Sequence, residues 1–213
     1  MIVQIHTYTG GELATNGYLV PVAGGGYICF DAPEGMATFI IQKGFKISAL
    51  VLTHGHFDHI WDAARIEREH QCPVYAHIGD ASMIRDTSVF KMFGIPQHIP
   101  PVENLQLIPV PDQGKSEFKV VGERFHAFHI PGHSLGSLAF YHSGWKLVMG
   151  GDILFAGGVG RWDLPGGSHE TLIQGIKTHL MPLPAETQVY PGHGGPTTIG
   201  VEKETNPYLT GEF

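Results

Sequence analysis

Cysteine is nearly absent from this chain, which has only Cys29 and Cys72. Two thiols cannot build the disulfide framework of a small secreted domain. Both stand in or beside predicted strands, where each reads as a small buried apolar residue. Cationic side chains are few as well. The chain has 13 Lys and Arg against 20 Asp and Glu, a formal net charge of −7. That is the wrong balance for a protein whose main partner is nucleic acid, because phosphate binding depends on clustered cations. Long apolar runs are also missing, and none approaches the ~20 residues that span a bilayer. The opening residues, MIVQIHTYTGGELATNGYLV, show no basic segment followed by an apolar stretch. The expectation is a cytoplasmic protein without a nucleic-acid or membrane partner; its oligomeric state is left open.

Glycine and histidine are what the chain has in quantity, with 29 and 14 copies. Plentiful glycine suggests tight turns and close backbone approaches. Histidine is the commonest metal ligand and a frequent acid–base group, so its positions matter. The 213 residues suit one domain, 1–213, with a substantial core. Strands are predicted from Ile2, Val3 and Ile5, then at Tyr18–Val20 and Tyr27–Phe30. A helix presenting Met36, Phe39 and Ile40 stops at Gly44. The nearly continuous apolar run Ile47–Leu52 reads as a strand buried on both faces. A helix over 60–70, stopped by Pro73, and a short strand Val74–Ala76 follow. Segment 87–101, TSVFKMFGIPQHIPP, fits neither template and reads as a loop packed over the core or as an apolar cleft wall. Further strands are expected near 105–110, 117–121, 125–130, 137–142 and 146–150. A helix over 169–180 is capped by Ser168, and a last strand covers Thr187–Tyr190.

The stretch THGHFDHI, positions 53–60, places His54, His56, Asp58 and His59 within six residues just after the apolar run. In an extended turn, positions i and i+2 point to one side, so His54 and His56 can approach one cation. Asp58 and His59, on the following bend, can approach a second. Imidazole and carboxylate suit zinc or iron and serve calcium poorly. Three later stretches share one form, a strand followed by a glycine turn and a ligand-type residue: His133 in IPGHS, Asp152 in MGGD and His193 in YPGHG.

Together THGHFDHI, PGHSLGS, GGDILF and PGHGG resemble the metallo-β-lactamase-fold hydrolase superfamily. GRWDLP, 160–165, and the ending NPYLTGEF resemble its short, single-domain glyoxalase II-like branch. The resemblance implies an α+β, αββα sandwich, with two mixed sheets packed face to face and helices outside. It implies that His54, His56 and His133 hold one divalent metal ion and that Asp58, His59 and His193 hold a second. Asp152 would bridge the two. Zinc is the first choice, with iron or manganese as alternatives. Two such ions roughly 3.5–4 Å apart can share a hydroxide, which Asp58 would orient toward an ester-like carbonyl. A thioester is an easy substrate for such a site, because a thiolate leaves without a proton. The implied activity is hydrolysis of a small-molecule thioester such as an S-acylglutathione. The alternatives are a lactonase or other ester hydrolase of this fold, and a persulfide dioxygenase using one iron on His54, His133 and Asp152.

Asp31 and Thr53 are expected to orient the ligand histidines, and His129 is a weaker candidate for the same task. Arg161 either positions an anionic substrate or braces its loop, and Phe155 is a candidate substrate contact. The remaining histidines, His98 among them, read as ordinary. Two departures from the pattern carry consequences. The chain ends 20 residues after His193, without the helical region that helps full-length glyoxalase II bind glutathione. Trp61 stands where a small residue is common.

Overall fold

The computed structural model describes residues 3–95 and 99–211. Ile2, His98 with the adjoining part of the 87–101 segment, and the last two residues of NPYLTGEF lie outside them. The first sheet has six strands, in this order: β1 (His6–Gly10), β2 (Thr15–Pro21), β3 (Tyr27–Phe30), β4 (Ile47–Val51), β5 (Val74–Ala76) and β6 (Leu105–Leu107). The first three are antiparallel neighbours, and β3 to β6 run parallel. Parallel neighbours need crossovers. These are α1 (Met36–Lys43), then α2 (Phe57–Ile60) with α3 (Ala63–His70), then α4 (Ala81–Arg85) with a 3-10 helix over Thr87–Phe93.

The second half adds β7 (Lys115–Val120), β8 (Glu123–His129), β9 (Leu138–His142) and β10 (Leu147–Gly151). A small hairpin, β11 (Leu154–Phe155) and β12 (Gly158–Val159), leads to α5 (His169–Gly175). The chain ends with β13 (Gln188–Pro191), β14 (Thr197–Thr198), α6 (Ile199–Thr205) and α7 (Pro207–Thr210). The second sheet runs β14-β13-β10-β9-β8-β7; it is antiparallel except where β10 meets β13.

Strand alternation sorts side chains into layers. Val20, Ile28, Phe30, Ala49 and Val51 of the first sheet meet Phe125, Ala127, Phe140 and Met149 of the second between the sheets. Their neighbours Leu19, Cys29, Ile47 and Leu50 face the other way, under α1 and α3. On the far side, Phe128, Ala139, Tyr141 and Val148 pack on Leu172, Ile176 and Leu180. This is the αββα sandwich. Ile47–Leu52 is buried on both faces as its apolar run implied, and both cysteines are buried and free.

The first strand begins at His6, and Val3 and Ile5 instead pack against the inter-sheet core. The helix expected over 60–70 is present as α3 but starts only at Ala63, after a break that separates it from the short α2. Asp62 causes the break: its carboxylate accepts from the Ala37 N–H at 2.9 Å, and its own N–H donates to Ala32 O at 2.9 Å. This helix ends at Gln71, in the left-handed region with φ 51°, before Pro73 is reached. The 169–180 helix has the Ser168 cap but widens to a π-helical turn over Ile176–Leu180. Segment 87–101 combines both of its readings. Phe90 is buried in the core, while Val89 and Ile95 pack at its edge and line a cavity described below.

Candidate metal centre

Each histidine or aspartate in question sits just past a strand's C-terminal end. β4 runs into Leu52, Thr53 and the histidine stretch. His56 is still extended (φ −66°, ψ 149°), so it lies on the same side as His54, and the chain turns into α2 only at Phe57. Asp58 and His59 therefore occupy the first turn of that helix. His133 follows β8 by way of Gly132, whose φ of 128° disfavours any side chain. Asp152 follows β10, and His193 follows β13. Gly192 allows the final approach, because a Cβ there would collide with Asp152 Oδ1 and meet His59 Cε1 at 2.6 Å.

The structure brings all seven of these side chains together. Among the described residues, three donor groups lie close enough to hold an ion: His54–His56–His133, His54–His59–Asp152 and Asp58–His59–His193. In the first, His133 Nε2 lies 2.8 Å from His56 Nδ1 and 3.2 Å from His54 Nε2. Asp152 joins the sets. Its Oδ1 is 3.3 Å from His59 Nε2, and its Oδ2 is 3.4 Å from His133 Nε2 and 3.3 Å from His193 Nε2. Asp58 Oδ2 is 3.4 Å from both His59 Nε2 and His193 Nε2.

Hydrogen bonds behind the rings fix which nitrogen faces inward. His133 Nδ1–H donates to Arg161 O at 2.8 Å, and His193 Nδ1–H donates to Leu13 O at 3.0 Å. His59 Nδ1–H donates to Asp31 Oδ2 at 2.8 Å. Thr53 donates its hydroxyl proton to Asp31 Oδ2 at 2.7 Å, so at 3.1 Å it accepts from His54 Nδ1–H. The neutral form of each of these four rings then points an Nε2 lone pair at other lone pairs or at carboxylate oxygens. Such a cluster repels itself unless positive charge sits among its members. His59 Nε2 and Asp152 Oδ1 are buried and lack a hydrogen-bond partner, and burial without a partner is costly.

The titration behaviour has the same cause. Burial pushes the His54 pKa well below the ordinary value, helped by the His59, His56 and His133 rings. Burial, then His133 and His59, brings His56 down to about 3. Burial also opposes charge on His59, but Asp58, Asp152 and Asp31 outweigh it and hold that pKa well above the ordinary value. At His193 burial is again overcome, by Asp152 and Asp58, and the pKa rises to about 10. Burial works against ionising Asp58 and Asp152 too. His59 and His193 prevail, taking Asp58 to about 2 and Asp152 well below the usual range.

These residues fit divalent cations. Imidazole nitrogens and carboxylate oxygens are zinc and iron donors. Donors ~2.1 Å from a tetrahedral ion stand roughly 3.4 Å apart, close to the 3.3–3.4 Å separations between the imidazole nitrogens and the carboxylates. If Asp58 serves the second ion, Asp58→Ala lowers occupancy there to about one ion per chain and cuts turnover roughly a hundredfold. Elemental analysis and circular dichroism check this, with the fold expected intact; full occupancy in the variant defeats the assignment.

Four supporting residues, Asp80, Thr15, Asn16 and Tyr18, carry no local signature. Asp80 is fully buried, and its carboxylate accepts from Gly55 N, Ser134 Oγ and Gly136 N at 2.7–2.8 Å. It thereby ties the histidine turn to the His133 turn. Thr15 Oγ1 donates to Asp58 Oδ2 at 2.7 Å. Asn16 and Tyr18 hold the last turn: Asn16 Nδ2 donates to Pro191 O and Gly194 O, and the Tyr18 hydroxyl donates to Pro191 O. Asp31 holds both Thr53 and His59 from a left-handed backbone with φ 57°. His129 does not reach the centre. Its Nε2–H donates to Leu135 O at 2.9 Å, bracing the loop that carries His133.

A cavity of about 810 Å³ opens over the cluster. Asp58, His56, His133, Asp152 and His193 form its floor. Leu13, Phe57, Met83, Val89, Phe90, Ile95, Phe155, Val159, Leu164 and Pro165 supply its walls, with Arg161 at the rim. Phe155 stands edge-on to His193, with ring centroids 6.2 Å apart. The Arg161 guanidinium is held bidentately by Asp163 at 2.7 and 2.8 Å. Trp61 lines a separate, smaller cavity next door.

A family model described as the metallo-beta-lactamase superfamily matches residues 21–193. Hydroxyacylglutathione hydrolase GloC of Haemophilus influenzae is 34% identical over 192 residues, covering 83% of this chain and 84% of that one. The crystal structure of BLEG-1 B3 metallo-beta-lactamase superposes with a TM-score of 0.87 at 30% identity, covering 97% and 100% of the two chains. That of TTHA1623 in a di-iron-bound form superposes at 0.81 with 36% identity, covering 96% and 100%.

Proposed function

This chain belongs to the metallo-beta-lactamase superfamily, and from that premise we propose that it is a two-metal hydrolase of thioesters, with an S-acylglutathione the first substrate to test. The observation that carries the reading is the meeting of two donor trios around Asp152 on the floor of one cavity. His54, His56 and His133 would hold one ion and Asp58, His59 and His193 the other, with Asp152 between them. Bound there, two divalent cations would lower the pKa of a water and draw charge from a carbonyl oxygen.

The chain's own residues do the rest. Asp58 Oδ2 is fixed by the Thr15 hydroxyl, which leaves Oδ1 to accept a hydrogen bond from a water over the floor and so orient it. The apolar walls limit access of bulk solvent, and that strengthens charge interactions at the floor. Among the described lining residues, every polar side chain is a candidate ligand or Arg161, so protonating a departing amine would fall to one of the candidate ligands. A thiolate needs no such proton, which favours a thioester over an amide. The relative named a hydroxyacylglutathione hydrolase supports this choice, and the di-iron structure supports iron as an occupant beside zinc or manganese. The rival, persulfide oxidation at a single iron, gives Asp58 and His193 no task although both face the cluster.

The test combines metal analysis with two assays. About two ions per chain, thiol release from S-lactoylglutathione and loss of both on chelation are the expected result. One iron per chain with oxygen uptake on glutathione persulfide, and no thioester cleavage, would overturn it.

A further inference from the structure

Apart from Arg161, the side chains that line the large cavity above its floor are apolar. Met83, Val89, Phe90 and Ile95 come from the segment after β5, and Phe155, Val159, Leu164 and Pro165 come from the hairpin region opposite. Leu13 adds a half-exposed aliphatic side chain to the same lining. Positive charge is nearly missing. Arg161 is the one Lys or Arg in the described lining, and Asp163 holds one edge of its guanidinium, through Nε and Nη2. The adjoining cavity of about 360 Å³, which shares Leu13, Phe57, Asp58 and Ile95, is lined by Glu12 and Glu34 and by no Lys or Arg.

A glutathionyl group carries two carboxylates and one ammonium. Around this floor it meets apolar walls, one arginine already paired with Asp163 and two glutamates. An acyl chain meets surface of its own kind. Building on the thioesterase reading, we propose that this site selects substrates by an apolar acyl chain and makes little use of the charged groups of the thiol. The acyl chain lies against Val89 and Leu164, and the thiol portion points to solvent.

The metal-loaded protein is assayed on acetyl, butyryl and hexanoyl thioesters of both glutathione and N-acetylcysteamine. Burial of each methylene raises kcat/KM about fourfold along the series, and exchanging the thiol changes it by less than about tenfold. A flat or falling chain-length series, or a loss of roughly a hundredfold or more with the uncharged thiol, overturns the proposal. Val89→Asp and, on the opposite wall, Leu164→Asp each lower the hexanoyl-to-acetyl ratio of kcat/KM by roughly tenfold or more; an unchanged ratio in both overturns it. Failure to cleave any thioester refutes the hydrolase reading instead. The inference is then decided by calorimetry with the uncleavable hexyl thioether of N-acetylcysteamine. Binding that Val89→Asp weakens supports an apolar acyl site, and absence of binding to the unsubstituted protein overturns it.

Discussion

Asp152→Ala abolishes measurable thioester hydrolysis, a fall of about a thousandfold or more, and lowers bound metal from two ions per chain to one or none. No other described side chain lies within 3.4 Å of His59, His133 and His193 at once. Losing its carboxylate removes a donor from each set and takes negative charge from a floor otherwise dominated by imidazoles. Asp152→Asn separates shape from charge: the amide keeps the volume but is a weak ligand, so the same direction is expected. The readouts are elemental analysis, steady-state kinetics and the melting temperature with and without chelator. In the parent protein the chelator lowers that temperature, because a ligand bound only by the folded state stabilises it. In the variant the difference shrinks. A variant keeping a tenth of the activity with two bound ions would remove Asp152 from the shared position.

The second large effect falls on stability. Asp80→Ala destabilises the protein by about 3–5 kcal/mol, measured by urea unfolding, because it leaves two buried N–H groups and a buried hydroxyl without their acceptor. Those donors, Gly55 N, Gly136 N and Ser134 Oγ, belong to two turns that carry His54, His56 and His133. Metal affinity therefore falls with stability, by roughly 10–100-fold, as expected for an outer group that orients ligands. A change below about 1 kcal/mol would mean that water replaces the carboxylate or that the turns hold themselves.

The contrast between Asp152 and Asp80 shows what sequence can and cannot reveal here. His54, His56, Asp58 and His59 crowd one turn. His133, Asp152 and His193 each follow a strand and a glycine, so local pattern marks all seven. Asp80 has no such mark. It sits in an unremarkable IGDAS stretch, and its partners lie 25, 54 and 56 positions away. Thr15 and Asn16 are equally silent, since they meet Asp58 and the last turn across 43 and more than 170 residues. Among the elements, β2 to β4 and α5 announce themselves by periodicity and capping. The five-residue α4 and two-residue β11, β12 and β14 are too short to display any period. The break between α2 and α3 depends on Asp62 reaching back to Ala32 and Ala37, a tertiary tie invisible in a window of neighbours.

The clasp by which Asn16 and Tyr18 grip the carbonyls of Pro191 and Gly194 joins residues more than 170 positions apart. A ribosome delivers residues 16–18 long before residues 191–194. Until the final turn emerges, β2 has nothing to grip and His59 waits beside two aspartates without its neighbour His193. The nascent chain therefore cannot close its second trio before residue 193 is made, and cation loading there follows the folding of the earlier strands rather than guiding it.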